Sequence, residues 1–69
     1  GDLSKQQYAL MKDRMLMDDG KPQLYGSQIK NGKLYKLENP KSVNERRKEM
    51  GMEPIEDYLK YFHIQFNPN

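Results

Sequence analysis

The first twenty residues carry apolar side chains at the spacing of an amphipathic helix. Five of them fall on two neighbouring stripes of such a helix: Tyr8, Met11, Met15, Leu10 and Met17. Ser4 and Gln7 are spaced as a capping box, in which two side chains satisfy backbone N–H groups left free at a helix start. Gly20 supplies a left-handed stop, and Pro22 prevents the helix from resuming. The pattern predicts a first helix over residues 5–18.

A hairpin is predicted next, because Asn31-Gly32 separates two β-compatible runs and a type I′ turn needs positive φ at both central residues. The predicted strands cover residues 23–30 and 33–37. A two-residue loop sets the expected pairs: Lys30–Lys33, Ile29–Leu34, Gln28–Tyr35, Ser27–Lys36 and Gly26–Leu37. Alternation then puts Leu37 on the face opposite Ile29 and Leu34. Neither face is purely polar, so the ribbon must lie against the helices.

The last third of the chain predicts two short helices. Ser42 and Glu45 are spaced as a second capping box, which opens a helix that ends at Met50 before Gly51. Pro54 suits the first turn of the last helix. The inward face of that helix repeats at helical spacing: Ile55, Tyr58, Leu59 and Phe62. We therefore expect an α+β fold with an N-terminal helix, a two-stranded antiparallel hairpin and two short C-terminal helices, all in one small domain over residues 1–69.

Composition limits how this domain is stabilised. The 69 residues include no cysteine and one histidine, so neither a disulfide framework nor a zinc cluster supplements the core. The core must come from aliphatic residues, methionines and tyrosines. No apolar run approaches the roughly 18 residues that span a bilayer, and we expect a soluble chain. Absence of cysteine slightly favours the cytoplasm but also fits a secreted bacterial protein, so the compartment stays open.

Several runs of the chain resemble a known family in order and spacing. They are YALMKDR (residues 8–14), GKPQLYGSQ (20–28), NP (39–40), VNERR (43–47) and MGMEPIEDYL (50–59). Together they resemble the C-terminal half of a bacterial family described as a domain of unknown function, DUF6624. Members usually have threonine at the position of Ser27, and an upstream helical region with a histidine-containing motif that has no counterpart here. The resemblance implies a fragment or a shortened relative, and it implies no function.

Six polar residues around the GKPQLYGSQ bend are candidate ligand-binding residues: Asp13, Arg14, Gln23, Tyr25, Gln28 and Arg46. Glutamine cannot serve as a general base near neutral pH, but its amide can orient a ligand or donate to an oxyanion. Arg14 could present its planar fork to a carboxylate or phosphate. The alternative is structural. The amides would then satisfy backbone groups left unpaired near Pro22 and Gly26, and Asp13 with Arg14 would form a salt bridge or bond to the bend.

Other polar residues suggest no catalytic or metal chemistry. Asp18 and Asp19 follow each other at a helix C-terminus, where negative charge opposes the helix dipole, but no calcium-loop spacing continues from them. His63 has no second ligand or nucleophile at a useful spacing. The sequence therefore assigns no catalytic residue, no metal ligand and no cofactor.

Basic residues raise the question of nucleic-acid binding. Lysines and tyrosines decorate the hairpin, and residues 46–48 form a basic run, as in proteins that bind single strands. The lysines, however, divide between the two hairpin faces, and the net charge is only +2. Glu45 and Glu49 flank the arginines at helical spacing, which is typical of a salt-bridged surface helix. Nucleic acid is thus not the expected partner.

Three functions remain after these exclusions. We favour a non-catalytic interaction or accessory segment, in which the first helix and the hairpin present an apolar, amide-rich surface to another domain or protein, or to a second copy of the chain. The second is half of an enzyme or ligand-binding site built on the six polar residues. The third is weak nucleic-acid binding.

Overall fold

The computed structural model describes residues 3–67 and has the α+β architecture expected from the sequence. Its elements in chain order are α1 (Leu3–Asp18), β1 (Ile29–Lys30), β2 (Lys33–Leu34), a 3₁₀ turn (Pro40–Ser42), α2 (Val43–Glu49) and α3 (Ile55–Lys60). The N-terminal helix, the antiparallel hairpin and the two short C-terminal helices are confirmed. Within residues 3–67, no helix combines the length and apolar character needed to cross a bilayer.

The long helix α1 ends where the sequence predicts and begins slightly earlier. It starts at Leu3, so Ser4 lies inside the helix instead of at its N-cap. At the other end the Lys21 N–H donates to the Leu16 carbonyl at 2.8 Å. Gly20 has a φ of 73°, and together these features form the left-handed ending expected of a helix that stops at glycine.

The side of α1 that is buried is not its apolar stripe. Ala9 and Asp13 are fully buried, whereas Tyr8, Met11 and Met15 are 46%, 54% and 54% exposed. Residues three and four apart share one side of a helix, so these three form a continuous apolar stripe in contact with solvent. The expectation that methionines and tyrosines supply the core is therefore wrong for this helix.

The hairpin turn has the predicted geometry. Asn31 and Gly32 have φ values of 55° and 75°, as a type I′ turn requires. The register of the two pairs next to the turn is confirmed: Ile29 with Leu34, and Lys30 with Lys33. The Tyr35 N–H also donates to the Gln28 carbonyl at 3.2 Å.

Beyond that point the predicted ladder is wrong. The pairs Ser27–Lys36 and Gly26–Leu37 do not form, and Gln23 instead pairs with Leu37 in a parallel bridge. The Gln23 N–H donates to the Lys36 carbonyl at 2.9 Å, and the Gln23 carbonyl accepts from the Glu38 N–H at 2.8 Å. Because Gln23 occupies the position expected for Gly26, residues 24–27 leave the ladder. We call these four residues the bend.

The core lies between the hairpin and the two short helices. Its buried members are Val43, Ile55 and Leu59, and partly buried residues pack around them: Ile29, Leu34, Leu37, Tyr58, Ile64 and Phe66. Leu37 thus shares the core side with Ile29 and Leu34, contrary to the alternation expected from a regular strand. Phe62 is 47% exposed, so its predicted inward position is also wrong, although its ring meets Tyr58 edge-on at 5.3 Å between centroids.

The start of α2 lacks the predicted capping box. Ser42 is the N-cap residue, but its side chain makes no capping hydrogen bond, and its Oγ accepts from Asn39 Nδ2 at 3.2 Å. The next helix is capped from a distance, since the Ile55 N–H donates to Asn44 Oδ1 at 2.8 Å. An α2 side chain therefore satisfies the first free amide of α3.

Candidate functional site

Asp13 is the centre of the polar arrangement around the bend. Its carboxylate is fully buried and accepts four hydrogen bonds from residues 24–27. Oδ1 accepts from the Leu24 and Tyr25 N–H groups at 2.8 and 3.0 Å. Oδ2 accepts from the N–H and the hydroxyl of Ser27 at 3.0 and 2.7 Å. Successive backbone N–H groups that converge on one point form an anion-binding nest, and here the chain supplies its own anion.

Gly26 allows the bend to take this shape. Its φ is 73°, and a Cβ at this position would overlap the Ile55 side chain. Only glycine adopts such a conformation without strain and without filling that space. The bend is therefore pressed against the core on one side and held by Asp13 on the other.

The carbonyl groups of the bend point to cationic and hydroxyl donors. Arg47 Nη1 donates to the Tyr25 carbonyl at 2.7 Å, and Tyr58 Oη donates to the Ser27 carbonyl at 3.0 Å. Arg46 Nε donates to the Leu24 carbonyl at 2.7 Å. The bend thus places its N–H groups on a carboxylate and its C=O groups on two guanidinium groups and a phenol.

The two arginines do not form the salt-bridged surface helix that the sequence suggests. Arg47 is 1% exposed, and its Nε donates to the Glu53 carbonyl at 2.6 Å. Arg46 Nη2 donates to the Glu38 carbonyl and, at 3.3 Å, to the Asn39 carbonyl. Within residues 3–67, the single ion pair joins Lys60 to Asp57. Both arginines bind main-chain carbonyls, and that interpretation of the basic run is wrong.

Gln23 uses its amide to close the base of the bend. Its Nε2 donates to the carbonyls of Gln28 and Tyr35 at 3.0 and 2.9 Å, and its Oε1 accepts from the Gln28 N–H at 2.9 Å. Gln28 Nε2 donates to Ser27 Oγ at 3.1 Å. The Gln23 amide thus replaces the ladder hydrogen bonds that residues 24–27 do not form. This is the structural alternative described above for the two glutamines.

Burial shifts the pKa of three groups around the bend. It lowers the pKa of Arg47, an effect opposed by the Tyr58 phenol and by the carboxylates of Glu53 and Asp13. Burial raises the pKa of Tyr58, while the adjacent Arg47 cation partly counteracts it. Burial also raises the pKa of Tyr25, and Tyr8 and Asp13 add to that effect. Each shift disfavours the charged form of a group removed from water.

The structure brings five of the six candidate residues together at the bend. Asp13, Gln23, Tyr25, Gln28 and Arg46 all lie in or against the bend. Arg14, in contrast, is exposed. Sequence reasoning missed three contributors: Ser27, Arg47 and Tyr58. Ser27 could have been found, because it lies within the bend and its hydroxyl suits a buried carboxylate.

A surface groove of about 420 Å³ lies behind Arg47, between α1 and the turn after α2. Gln6, Leu10, Met52 and Tyr58 line it, and Gln6 Nε2 donates to the Gly51 carbonyl across it at 2.8 Å. None of the six candidate residues lines this groove. The Asp13 carboxylate is turned away from solvent, and its four bonds are the chemistry of an anchor.

These features define a small α+β domain in which a helix carboxylate holds a loop against a hairpin. The chain belongs to the family of unknown function DUF6624, whose sequence model matches residues 1–67. The resemblance to this family is thereby confirmed. No curated protein and no solved structure matches the chain significantly.

Proposed function

We propose that this chain is a non-catalytic interaction segment whose binding surface is the apolar stripe of α1, formed by Tyr8, Met11 and Met15. The observation that carries the proposal is that all three side chains are about half exposed on the longest helix. An exposed apolar patch of this kind is informative, because soluble domains seldom leave one without a binding role.

The core does not need this stripe. Val43, Ile55 and Leu59 form the buried cluster, and the hairpin and the C-terminal segment cover it. α1 is attached to the rest of the domain through buried Asp13 and Ala9 on its opposite side. The stripe is therefore free to contact a partner while residues 1–69 stay one domain, which we also propose.

The two methionines suit a binding role. Their side chains are unbranched and polarisable, so they adapt to partners of differing shape. The polar residues, in contrast, are engaged in folding: Asp13 accepts four bonds from the bend, and Gln23 makes three. These contacts support a segment with no catalysis of its own.

Site-specific photo-crosslinking tests the proposal. A photoreactive residue at position 11, in cells that produce the chain, should give protein adducts. The same residue at Lys41, which is exposed outside α1, should give few. Met15→Glu should remove the adducts from position 11, because it places a charge beside the contact. Equal yields from positions 11 and 41, or none from position 11, would contradict the proposal.

Ligand binding at the bend is the second candidate, since five of the six polar residues converge there. Tyr25, Gln28 and Arg46 keep part of their surface in solvent, and they could present a phenol, an amide and a guanidinium to one small molecule. Amide chemical shifts of the bend, followed during addition of small carboxylates and amides, test this directly. Shifts confined to exposed lysines would reject it.

Nucleic-acid binding has the weakest support of the three. Arg46 and Arg47 donate to main-chain carbonyls, so the basic run offers few free donors to phosphates. Titration with an oligonucleotide at low salt should leave the amide shifts unchanged.

A further inference from the structure

We infer that the partner of the α1 stripe is a second copy of this chain, with the two α1 helices packed antiparallel. The inference rests on the proposed function, because it names the occupant of the same surface. It draws on three observations: the distribution of charge along α1, the order of the apolar side chains in the stripe, and the length of the helix.

Exposed side chains of opposite charge lie at the two ends of α1, although Arg14 and Lys21 are exposed cations near its C-terminal end. Lys5 is exposed near the N-terminal end, and Asp18 and Asp19 are exposed at the C-terminal end. Within one chain those two carboxylates lie at the negative end of the helix dipole, which is unfavourable. In an antiparallel pair they lie beside Lys5 and the positive end of the partner helix. A second copy thus removes an electrostatic conflict that a single chain retains.

The stripe is complementary to itself in an antiparallel pair. When Met11 lies on the two-fold axis, Tyr8 of one copy reaches the level of Met15 of the other, because the two are three and four residues from the centre. A two-fold contact is self-complementary, so this pairing occurs twice. A methionine sulfur against an aromatic ring is favourable. A parallel pair would instead place like residues side by side, including Asp18 against Asp18.

The length of α1 suits such a contact. Its 16 residues extend about 24 Å at 1.5 Å per residue, close to the 27 Å longest dimension of the domain. Two such helices in antiparallel contact meet along most of one side of each molecule. The axis through Met11 lies near the middle of this length, so the ends of both helices overlap.

A charge-swap experiment tests the antiparallel arrangement. Lys5→Glu puts two acidic ends together in a self-pair, and Asp18→Lys/Asp19→Lys puts two basic ends together. Each variant alone should dimerise about tenfold more weakly than wild type, given the small energy of each exposed pair. An equimolar mixture should recover dimerisation, because every contact in the mixed pair joins opposite charges. Masses measured by light scattering over a concentration series report the outcome.

These variants are suited to the test because both improve the charge pattern of their own helix. Glutamate near the N-terminus and lysine near the C-terminus favour the helix dipole, so weaker dimerisation cannot be ascribed to unfolding of α1. Failure of the mixture to recover dimers would overturn the antiparallel pairing.

Cysteine crosslinking tests the position of the axis. The chain has no cysteine, so Met11→Cys introduces a single thiol, which oxidation should convert into a covalent dimer of twice the 8.2 kDa chain mass. Lys48→Cys, on the exposed side of α2, should remain mostly monomeric. Equal dimer yields from both variants would overturn the inference.

The identity of the partner and the interaction role itself can be refuted separately. Photo-crosslinks from position 11 to a protein of another mass, with wild-type chain monomeric at every concentration, would overturn self-association and retain the interaction role. Absence of both dimers and crosslinks would overturn both.

Discussion

The bend and the α1 stripe reverse the usual distribution of side chains, in which apolar groups are buried and polar groups are exposed. Around the bend, the Asp13 carboxylate, the Gln23 amide and the Arg47 guanidinium are buried, and each is hydrogen-bonded. In the stripe, Tyr8, Met11 and Met15 are exposed. Both regions belong to α1 or contact it, and Asp13 and Met15 are only two residues apart on opposite sides of the helix.

The two regions thus separate the side chains that stabilise the fold from those that remain available to a partner. Asp13, Gln23 and Arg46 have the chemistry of a binding site, yet their bonds to main-chain groups organise the fold. Tyr8, Met11 and Met15 have the chemistry of a core, yet they remain available to a partner. Loss of a polar side chain that holds the bend should therefore impair stability, and loss of a stripe residue should impair association alone.

Asp13→Ala should produce the largest effect. It leaves three N–H groups and one hydroxyl without their acceptor, and an unsatisfied buried donor costs about 1–3 kcal/mol. After relaxation we expect a loss of about 4 kcal/mol or more in the free energy of unfolding, measured by urea denaturation. Asp18→Ala, an exposed acid on the same helix, should change it by about 0.5 kcal/mol or less. Similar losses for both variants would refute the anchor role.

Gly26→Ala should have the next largest effect. The left-handed conformation costs a residue with a Cβ about 1–2 kcal/mol, and displacement of the buried Ile55 side chain adds about 1–3 kcal/mol. Gly32→Ala is the matched control, since Gly32 has a φ of 75° but no atom within 4 Å of the added Cβ. It should show the conformational cost alone, by the same urea measurement. An equal loss for both variants would mean that the bend is not pressed against the core.

Tyr58→Phe should cost about 1 kcal/mol, because it removes one hydrogen bond to the Ser27 carbonyl and keeps the ring that lies 5.0 Å from the Arg47 guanidinium. Tyr61→Phe, at an exposed tyrosine, is its control and should be neutral. Thermal denaturation of both variants measures the difference. A neutral Tyr58→Phe would show that this bond does not stabilise the bend.

The same tyrosine makes stability depend on alkaline pH. Burial raises the pKa of Tyr58, so the folded chain holds this proton more tightly than the unfolded chain does. The contribution of the protonated Tyr58 to the free energy of unfolding is therefore complete below the ordinary phenol pKa of about 10, and it declines as pH rises above that value. Urea denaturation between about pH 8 and pH 11 should show this decline, and Tyr58→Phe should reduce it. A wild-type stability that rises across this range would contradict the assignment.

Met11→Glu/Met15→Glu should have the smallest effect on folding. Both side chains are about half exposed, and substitutions at such surface positions change stability by about 0.5 kcal/mol or less. The measurement requires a chain concentration at which wild type is monomeric, because dimerisation would add to its apparent stability. A loss as large as that of Asp13→Ala would show that the stripe is part of the core.

The local signals in the sequence predicted the order and type of the three α-helices and of the two hairpin strands. Asn31-Gly32 determined the turn and the first two hairpin pairs, and Gly20 determined the end of α1. Each depends on the backbone preference of one or two residues. The path of residues 24–27 depends instead on Asp13, at least eleven positions earlier. A prediction from strand propensity alone therefore makes the hairpin ladder too long.

Most members of the candidate site were predictable from the sequence, but their geometry was less predictable. The GKPQLYGSQ run (residues 20–28) drew attention because it combines glycine, proline and amides, and five of the six candidate residues lie together. Arg47 was not among the predicted site residues, because residues 45–49 have the composition of an exposed helix. Burial of its guanidinium follows from carbonyl groups that only the folded bend presents.

The contacts of Asp13 also determine how the molecule opens. The amides of Leu24, Tyr25 and Ser27 belong to no helix or strand, yet their hydrogen atoms are held by a buried carboxylate on α1. Exchange of those hydrogens with solvent requires the Asp13 carboxylate on α1 to separate from the bend. α1 and the bend consequently open together, and these loop amides exchange with solvent no faster than the helix separates from them.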